Sequence, residues 1–359
     1  MEGNILTTVL AKSQADIDTI NNLLNKKLPA YRKAYSDRTS WLMACISELA
    51  YLRFNPLFPE KSQKAYFLKA IEKLIDQNRQ SALTKLLDLV AYDHEQEAAD
   101  LADNLTLLSL KLIDTFDSNG TQAIIVANSD FAVLAFRGTE AKSIKDIKAD
   151  ARAITVACPS GGNIHSGFND AYNEVGLDIQ QRLDKDDLKA LPLFITGHSL
   201  GGALATIAAK KITHSSAGIA ACYTFGSPRV GDEHWLANFK TPVYRLVNAA
   251  DCVTMLPPGD ELVTVLGWLV HWMPRIGRPM RAFLLNKVNG YMHVGDMRYM
   301  TNCSTPGDYS KVELLYSVSF FRRLKGLVIK KLPWRKLLKD HSIETYRKKL
   351  LVIASGRNA

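Results

Sequence analysis

Residues 197–201, Gly-His-Ser-Leu-Gly, follow the apolar run 191–196 and precede the run 202–209, which is rich in small residues. This order predicts a β-strand, a sharp turn and a helix, with Ser199 at the apex of the turn. Glycines at both ends of the motif permit a strained turn and a close approach of strand and helix. Ser199 is therefore the predicted nucleophile, and the alternative is a glycine-rich turn that carries an ordinary serine.

The composition is that of an ordinary soluble globular protein. The 359 residues are 47% hydrophobic and 23% charged, which suits one large α/β domain with extensions, or two domains. The five cysteines are scattered and form no Cys-x-x-Cys pair. This pattern argues against a disulfide framework and against a cysteine metal site, and it favours a reducing compartment.

The amino-terminal residues carry only a short apolar stretch, residues 5–11. They lack the basic region and the long apolar region of a secretory signal peptide. The sequence also has no apolar run long enough to span a bilayer. We therefore predict a cytoplasmic protein that can also associate with membranes. Export by a signal-less route is the open alternative.

The positive charge is concentrated in the last quarter of the chain. The formal net charge is +9, but residues 275–359 contain 18 Lys and Arg against 5 Asp and Glu. Within this region, residues 320–339 interleave eight Lys and Arg with aromatic and aliphatic side chains. Such a basic amphipathic segment favours an anionic membrane surface over nucleic acid as the partner. The alternative is a helix that packs on the core and exposes a basic face.

The hydrophobic period changes near residue 105. Apolar residues recur at helical spacing over residues 16–103, which predicts a helical amino-terminal extension or cap, residues 1–105. Beyond it, predicted strands lie at 108–115, 122–127, 131–136, 191–196, 219–225 and 243–248, with a helix at 169–182. Strands that alternate with helices predict an α/β fold with a mostly parallel central sheet, residues 106–359.

A serine nucleophile needs a base and an acid that orients the base. Asp251 follows the predicted strand 243–248, so it is expected at the same rim of the sheet as Ser199. Asp232, in an earlier loop, is the weaker candidate for the acid.

Three histidines follow the predicted acid. His271 lies in an apolar run, which suits packing, whereas His293 is predicted at a strand near the rim. His341 lies in or beside the loop before a helix that Asp340 or Ser342 would cap. Order and position alone leave His293 and His341 as alternative bases.

The tetrahedral intermediate of acyl transfer also needs two N–H donors for its oxyanion. The Leu200 N–H, directly after the nucleophile, is the first expected donor. Thr139 follows the predicted strand 131–136 and Gly138, and it is the second expected donor. The alternative for Thr139 is a plain turn after a strand.

Several motifs taken together resemble the class 3, or fungal-type, lipases. They are Ala135–Glu140, Ile164–Phe168, Gly197–Ala205, Thr224–Gly231 and Asp251–Pro258, and they occur in the order seen in that family. The resemblance extends from about residue 106 to about residue 350. It implies an α/β-hydrolase fold and hydrolysis of carboxylic esters of lipids, with a Ser-His-Asp triad and no metal or organic cofactor.

The resemblance also bears on the base, the lid and one insertion. In this family the base lies near the carboxyl terminus in an Asp-His-x-x-x-Tyr context, which residues 340–346 resemble with one extra residue. It therefore favours His341 over His293. The family's lid corresponds to residues 142–150, which are charged here, and this departure argues against strong activation by neutral oil. Residues 259–290, which contain the apolar stretch 262–273, correspond to an insertion between the acid and the base.

The expected activity is a triacylglycerol lipase-like serine hydrolase that forms an acyl-enzyme on Ser199. Within enzymes, the alternatives are a phospholipase A1-like activity or a short-chain esterase. From a different class, the alternative is a lipase-fold lipid-binding or regulatory protein without catalysis. The candidates for all three triad residues, Ser199, Asp251 and His341, favour the enzyme.

Overall fold

The computed structural model describes most of the chain. The described residues are 8–30, 34–54, 61–84, 92–138, 155–159, 161–214, 218–257, 290–303, 307–319 and 339–356. Five of the predicted features lie wholly or almost wholly outside these ranges, namely Thr139, the lid 142–150, His271, most of the insertion 259–290 and all of segment 320–339 except Lys339.

The described residues include nine α-helices. They are α1 (Gln14–Leu24), α2 (Asp37–Leu49), α3 (Lys61–Asp76), α4 (His94–Leu107), α5 (Ser166–Leu183), α6 (Asp186–Lys189), α7 (Leu200–Lys211), α8 (Glu233–Leu236) and α9 (Ile343–Gly356).

The strands within the described residues form an eight-stranded sheet and a separate two-stranded sheet. The order in the large sheet is β1-β2-β3-β6-β7-β8-β9-β10. Its strands are β1 (Lys111–Ser118), β2 (Thr121–Ala127), β3 (Ala132–Phe136), β6 (Leu193–His198), β7 (Ile219–Phe225), β8 (Val243–Asn248), β9 (Asp296–Met300) and β10 (Leu314–Leu315). The small sheet pairs β4 (Thr155–Ala157) with β5 (Asn163–His165).

The centre of the large sheet is parallel. Strands β3, β6, β7, β8 and β9 run parallel to one another, whereas β1, β2 and β10 pair antiparallel at the two edges. The predicted α/β-hydrolase fold with a mostly parallel central sheet is therefore confirmed. The first strand begins at Lys111 rather than at Leu108, because α4 continues to Leu107 and the Leu110 N–H still donates to the Leu105 carbonyl of that helix.

Side chains that alternate along the strands form one hydrophobic core on each face of the sheet. In β3, Val133 and Ala135 join the core formed with α1, α2, α4 and α9, whereas Ala132, Leu134 and Phe136 join the core formed with α5, α7 and α8. This period of two is what a strand covered on both faces requires. Helix α2 is thus part of a core that it shares with the central strands. The domain boundary near residue 105 stays a prediction.

Parallel strands bring their carboxyl ends to one rim, where ligands of open α/β sheets bind. The segments that leave this rim begin at Arg137 after β3, Ser199 after β6, Gly226 after β7 and Ala249 after β8. Four of the predicted site segments therefore begin at the same rim of the sheet. No helix within the described ranges has the length and apolar character needed to cross a membrane.

Candidate active site

Ser199 occupies the turn between β6 and α7, with φ 58° and ψ −127°. Positive φ is unfavourable for a residue with a side chain, so the surrounding structure must hold it there. The Ser199 N–H donates to the Phe225 carbonyl at 2.9 Å. A Cβ on Gly197 would overlap the Gly201 carbonyl, and a Cβ on Gly201 would overlap the Phe136 carbonyl. The two glycines therefore allow the turn to pack against β3 and α7.

His341 lies two residues before the start of α9 and contacts the predicted nucleophile. Its Nε2 is 2.9 Å from Ser199 Oγ, and its Nδ1 is 2.9 Å and 3.0 Å from the two carboxylate oxygens of Asp251. A carboxylate only accepts hydrogen bonds, so Nδ1–H donates to Asp251 and Nε2 is left to accept from the Ser199 hydroxyl. All three residues are buried. The structure thus brings together Ser199, His341 and Asp251.

Two further donors orient the Asp251 carboxylate. The Val253 N–H donates to Oδ1 at 3.0 Å, and the Tyr346 hydroxyl donates to Oδ2 at 2.6 Å. The same hydroxyl accepts from the Asn248 N–H at 3.0 Å. Tyr346 belongs to α9, so its hydroxyl connects this helix to the loop after β8 that carries Asp251, which we call the acid loop. Sequence reasoning used this tyrosine only to choose the base and missed its bond to Asp251.

His293 takes a different position from the one predicted. It precedes β9 instead of lying within a strand, and its Nε2–H donates to the Thr254 carbonyl at 2.7 Å. That bond supports the short 3₁₀ turn Val253–Met255 after the acid. The geometry therefore places His341 at the hydroxyl of Ser199 and places His293 at the acid loop.

Asp232, the weaker candidate for the acid, caps a helix. Its carboxylate accepts from the Trp235 N–H at 2.8 Å and from the Asn163 N–H at 2.9 Å. The first bond satisfies a free N–H at the start of α8, which is the usual role of an aspartate at this position. Asp232 therefore holds β5 beside α8.

One of the two predicted oxyanion donors, Leu200, directly follows Ser199 at the turn between β6 and α7, which we call the elbow. Leu200 is the first residue of α7, where N–H groups have no acceptor within their own helix. Thr139 lies outside the described residues, but its neighbour Gly138 is described. Phe136 pairs with Gly197 in the parallel register, so β3 ends beside the elbow. A Cβ on Gly138 would overlap the His198 carbonyl, so only glycine at this position lets the segment after β3 lie so close to the elbow.

Gly226, with φ +60°, packs against the side chains of Asp251 and His341. A Cβ at this position would lie 2.7 Å from Asp251 Oδ2 and 2.9 Å from His341 Cε1. Because these are less than normal van der Waals separations, any side chain here must displace the acid or the base.

We therefore expect Gly226→Ala to lower kcat for a soluble ester by about 100-fold, the cost of a misplacement near 1 Å. Gly120→Ala is the matched control, since Gly120 also has positive φ (+82°) but nothing within 4 Å of its Cβ position. It carries the backbone strain without the contact. Equal loss of kcat per folded molecule in the two variants would contradict this account of Gly226.

Comparisons with known proteins agree with the geometry of the site. Residues 133–261 match the family described as Lipase (class 3). A lipase of Rhizomucor miehei is 34% identical over 165 residues, which cover 42% of this chain and 45% of that protein. A secreted mono- and diacylglycerol lipase of Fusarium solani is 29% identical over 195 residues, covering 52% and 54%. A chloroplastic phospholipase A(1) of Arabidopsis thaliana is 36% identical over 111 residues, covering 27% and 25%.

This chain spans about half the length of the first two relatives. The matched family region begins in β3 and ends after the acid loop, so it contains Ser199 and Asp251. It ends before His341, whose assignment rests on its contacts with those two residues.

The prediction of a cytoplasmic location is wrong, because the relatives include a lipase that is named as secreted. The prediction relied on the amino-terminal residues and on cysteine usage. The five cysteines, all of which lie within the described residues, form no disulfide. Cysteine usage is weak evidence of compartment in a protein of this size, however. A two-sided hydrophobic core supplies the stability that small secreted domains obtain from disulfides.

Proposed function

We propose that this chain, a member of the class 3 lipase family, hydrolyses carboxylic esters of lipids through an acyl-enzyme on Ser199. The observation that carries the proposal is the buried chain of contacts from Ser199 Oγ through His341 to Asp251. The relatives add support, since their names describe hydrolysis of acylglycerols and of phospholipids.

In the proposed mechanism, His341 Nε2 takes the hydroxyl proton while Ser199 Oγ attacks the carbonyl carbon of the ester. Asp251 stabilises the imidazolium through the bond from Nδ1–H. The proton then passes from Nε2 to the leaving alkoxide, and the alcohol departs. In the second half of the reaction, His341 Nε2 takes a proton from a water molecule while the water oxygen attacks the acyl-enzyme. The proton then passes to Ser199 Oγ as the carboxylic acid leaves.

The negative charge that develops on the carbonyl oxygen needs fixed donors. We assign this role to the N–H groups of Leu200 and Thr139, the two donors that the sequence predicts. The position of Leu200 at the start of α7 supports the assignment, because the helix dipole favours negative charge there.

Labelling with a fluorophosphonate probe tests for an activated serine. The purified protein is treated with and without detergent, and the adduct is mapped by mass spectrometry. We expect a stoichiometric adduct on Ser199. A folded protein that gives no adduct under either condition would overturn the proposal and favour the non-catalytic lipid-binding protein.

A panel of substrates then identifies the lipid class. It contains tri-, di- and monoacylglycerols, a diacyl phospholipid and a short-chain nitrophenyl ester. Hydrolysis of acylglycerols supports the lipase, release of fatty acid from the phospholipid alone supports the phospholipase alternative, and turnover of the short ester alone supports an esterase.

We further propose that the basic amphipathic segment 320–339 binds anionic membranes. The segment contains eight basic residues, and each one near a surface of anionic lipid contributes about 1 kcal/mol of binding free energy. We expect sedimentation with anionic vesicles that weakens as salt rises, and little sedimentation with neutral vesicles. Replacement of Arg322, Arg323, Lys330 and Lys331 with glutamine should remove this preference. Equal binding to both kinds of vesicle would contradict the proposal.

A further inference from the structure

The residue before the nucleophile, His198, links the base to the amino-terminal part of the chain. Its Nε2 lies 2.6 Å from the backbone carbonyl oxygen of His341. Its Nδ1 lies 2.7 Å from the hydroxyl of Tyr51, which follows α2. The two imidazole rings also pack together, with centroids 4.6 Å apart. His198 is buried, so these partners replace water around its ring.

The chemistry of these partners fixes the direction of both hydrogen bonds. A carbonyl oxygen only accepts, so His198 Nε2 must carry a proton. Burial, and next the neighbouring His341, lower the pKa of His198 well below its usual value, so the ring is neutral. Nδ1 then has a lone pair, and the Tyr51 hydroxyl must donate to it. Tyr51 thereby selects the tautomer of His198 that donates to His341.

Tyr51 also touches the loop after β3. A Cβ on Gly138 would overlap the Tyr51 hydroxyl as well as the His198 carbonyl. The Arg137 guanidinium lies 5.9 Å from the centroid of the Tyr51 ring. The same side chain thus meets the elbow, the backbone that precedes the predicted oxyanion donor and, through His198, the base.

From this geometry we propose that Tyr51 is a positioning residue, which acts through His198 to hold the backbone of His341 so that its ring reaches Ser199. The proposal rests on the proposed function of Ser199 and His341. It makes the amino-terminal helices part of the catalytic arrangement, because Tyr51 lies two residues after the end of α2.

Helix α2 makes two other contacts with the core of the molecule, and neither involves Tyr51 or His198. The Ser47 hydroxyl lies 2.9 Å from the Thr196 hydroxyl of β6. Glu48 forms a partly buried ion pair with Arg347 of α9. These contacts attach α2 to the strand that leads to Ser199 and to the helix that follows His341.

Tyr51→Phe tests the proposal with the full chain and a short-chain soluble ester. It removes one hydroxyl and keeps the ring. We expect kcat per fluorophosphonate-titrated site to fall about 10-fold, which corresponds to about 1.4 kcal/mol in the barrier, with KM unchanged. Ser47→Ala is the matched control, since it removes a buried hydrogen bond between the same helix and the same strand. It should lower thermal stability and leave kcat unchanged.

A double-mutant cycle with His198→Phe shows whether Tyr51 acts through His198. We expect Tyr51→Phe to have no further effect on kcat in the His198→Phe background. The proposal is overturned if Tyr51→Phe affects kcat no more than Ser47→Ala, if it changes KM alone, or if the two substitutions are additive. An unmodified protein that neither turns over esters nor labels at Ser199 would instead refute the proposed function, which separates the two failures.

Discussion

Ser199→Ala should lower kcat for a soluble ester by about four to six orders of magnitude, the loss expected when the nucleophile of a serine triad is removed. The substitution deletes one oxygen atom and keeps the Cβ, so the backbone at φ 58° meets the same restriction as before. The hydrogen bond from the residue 199 N–H to Phe225 is retained as well. The expected loss is therefore chemical rather than structural. Turnover and fluorophosphonate labelling measure it directly.

Ser47→Ala again serves as the control, because Ser47 is also a buried serine with a hydrogen bond. It should retain both turnover and labelling. If Ser199→Ala kept a tenth of the activity, the nucleophile would have to be another residue. The assignment of Ser199, and with it the proposed acyl-enzyme, would then be wrong.

The elbow was predictable because every requirement for it is local in sequence. An apolar strand, a glycine-rich pentapeptide and a run of small residues occur consecutively, and the structure has β6, Ser199 and α7 in the same order. The position of Asp251 was predictable for a related reason. Parallel strands end at one rim, so a residue soon after β8 lies near a residue soon after β6.

The base was less predictable, because its position depends on packing between distant segments. His293 and His341 both follow the acid, and only the resemblance to a family separated them in the sequence. In the structure, α9 packs against the face of the sheet that α2 covers, and this brings His341 to Ser199 over 142 residues of chain. The pairing of Tyr51 with His198, 147 residues apart, depends on the same packing and has no local signal.

Replacement of the two candidate bases by glutamine separates their roles. We expect His341→Gln to lower kcat by at least about four orders of magnitude, because an amide cannot take a proton from Ser199. We expect His293→Gln to lower kcat by no more than about 10-fold, since its amide N–H can still donate to the Thr254 carbonyl and the cost is at most that of one weakened hydrogen bond. Both variants are measured with a soluble ester, with circular dichroism to compare folding.

The base is identified by which variant loses more kcat, because both substitutions remove one buried or half-buried imidazole. A general defect in packing would lower kcat to a similar extent in both. A much larger loss in His341→Gln follows only if the proton passes through the ring that lies 2.9 Å from Ser199 Oγ. The reverse ranking would assign proton transfer to His293, and it would require the loop before β9 to leave Thr254 and approach Ser199 in the reacting enzyme.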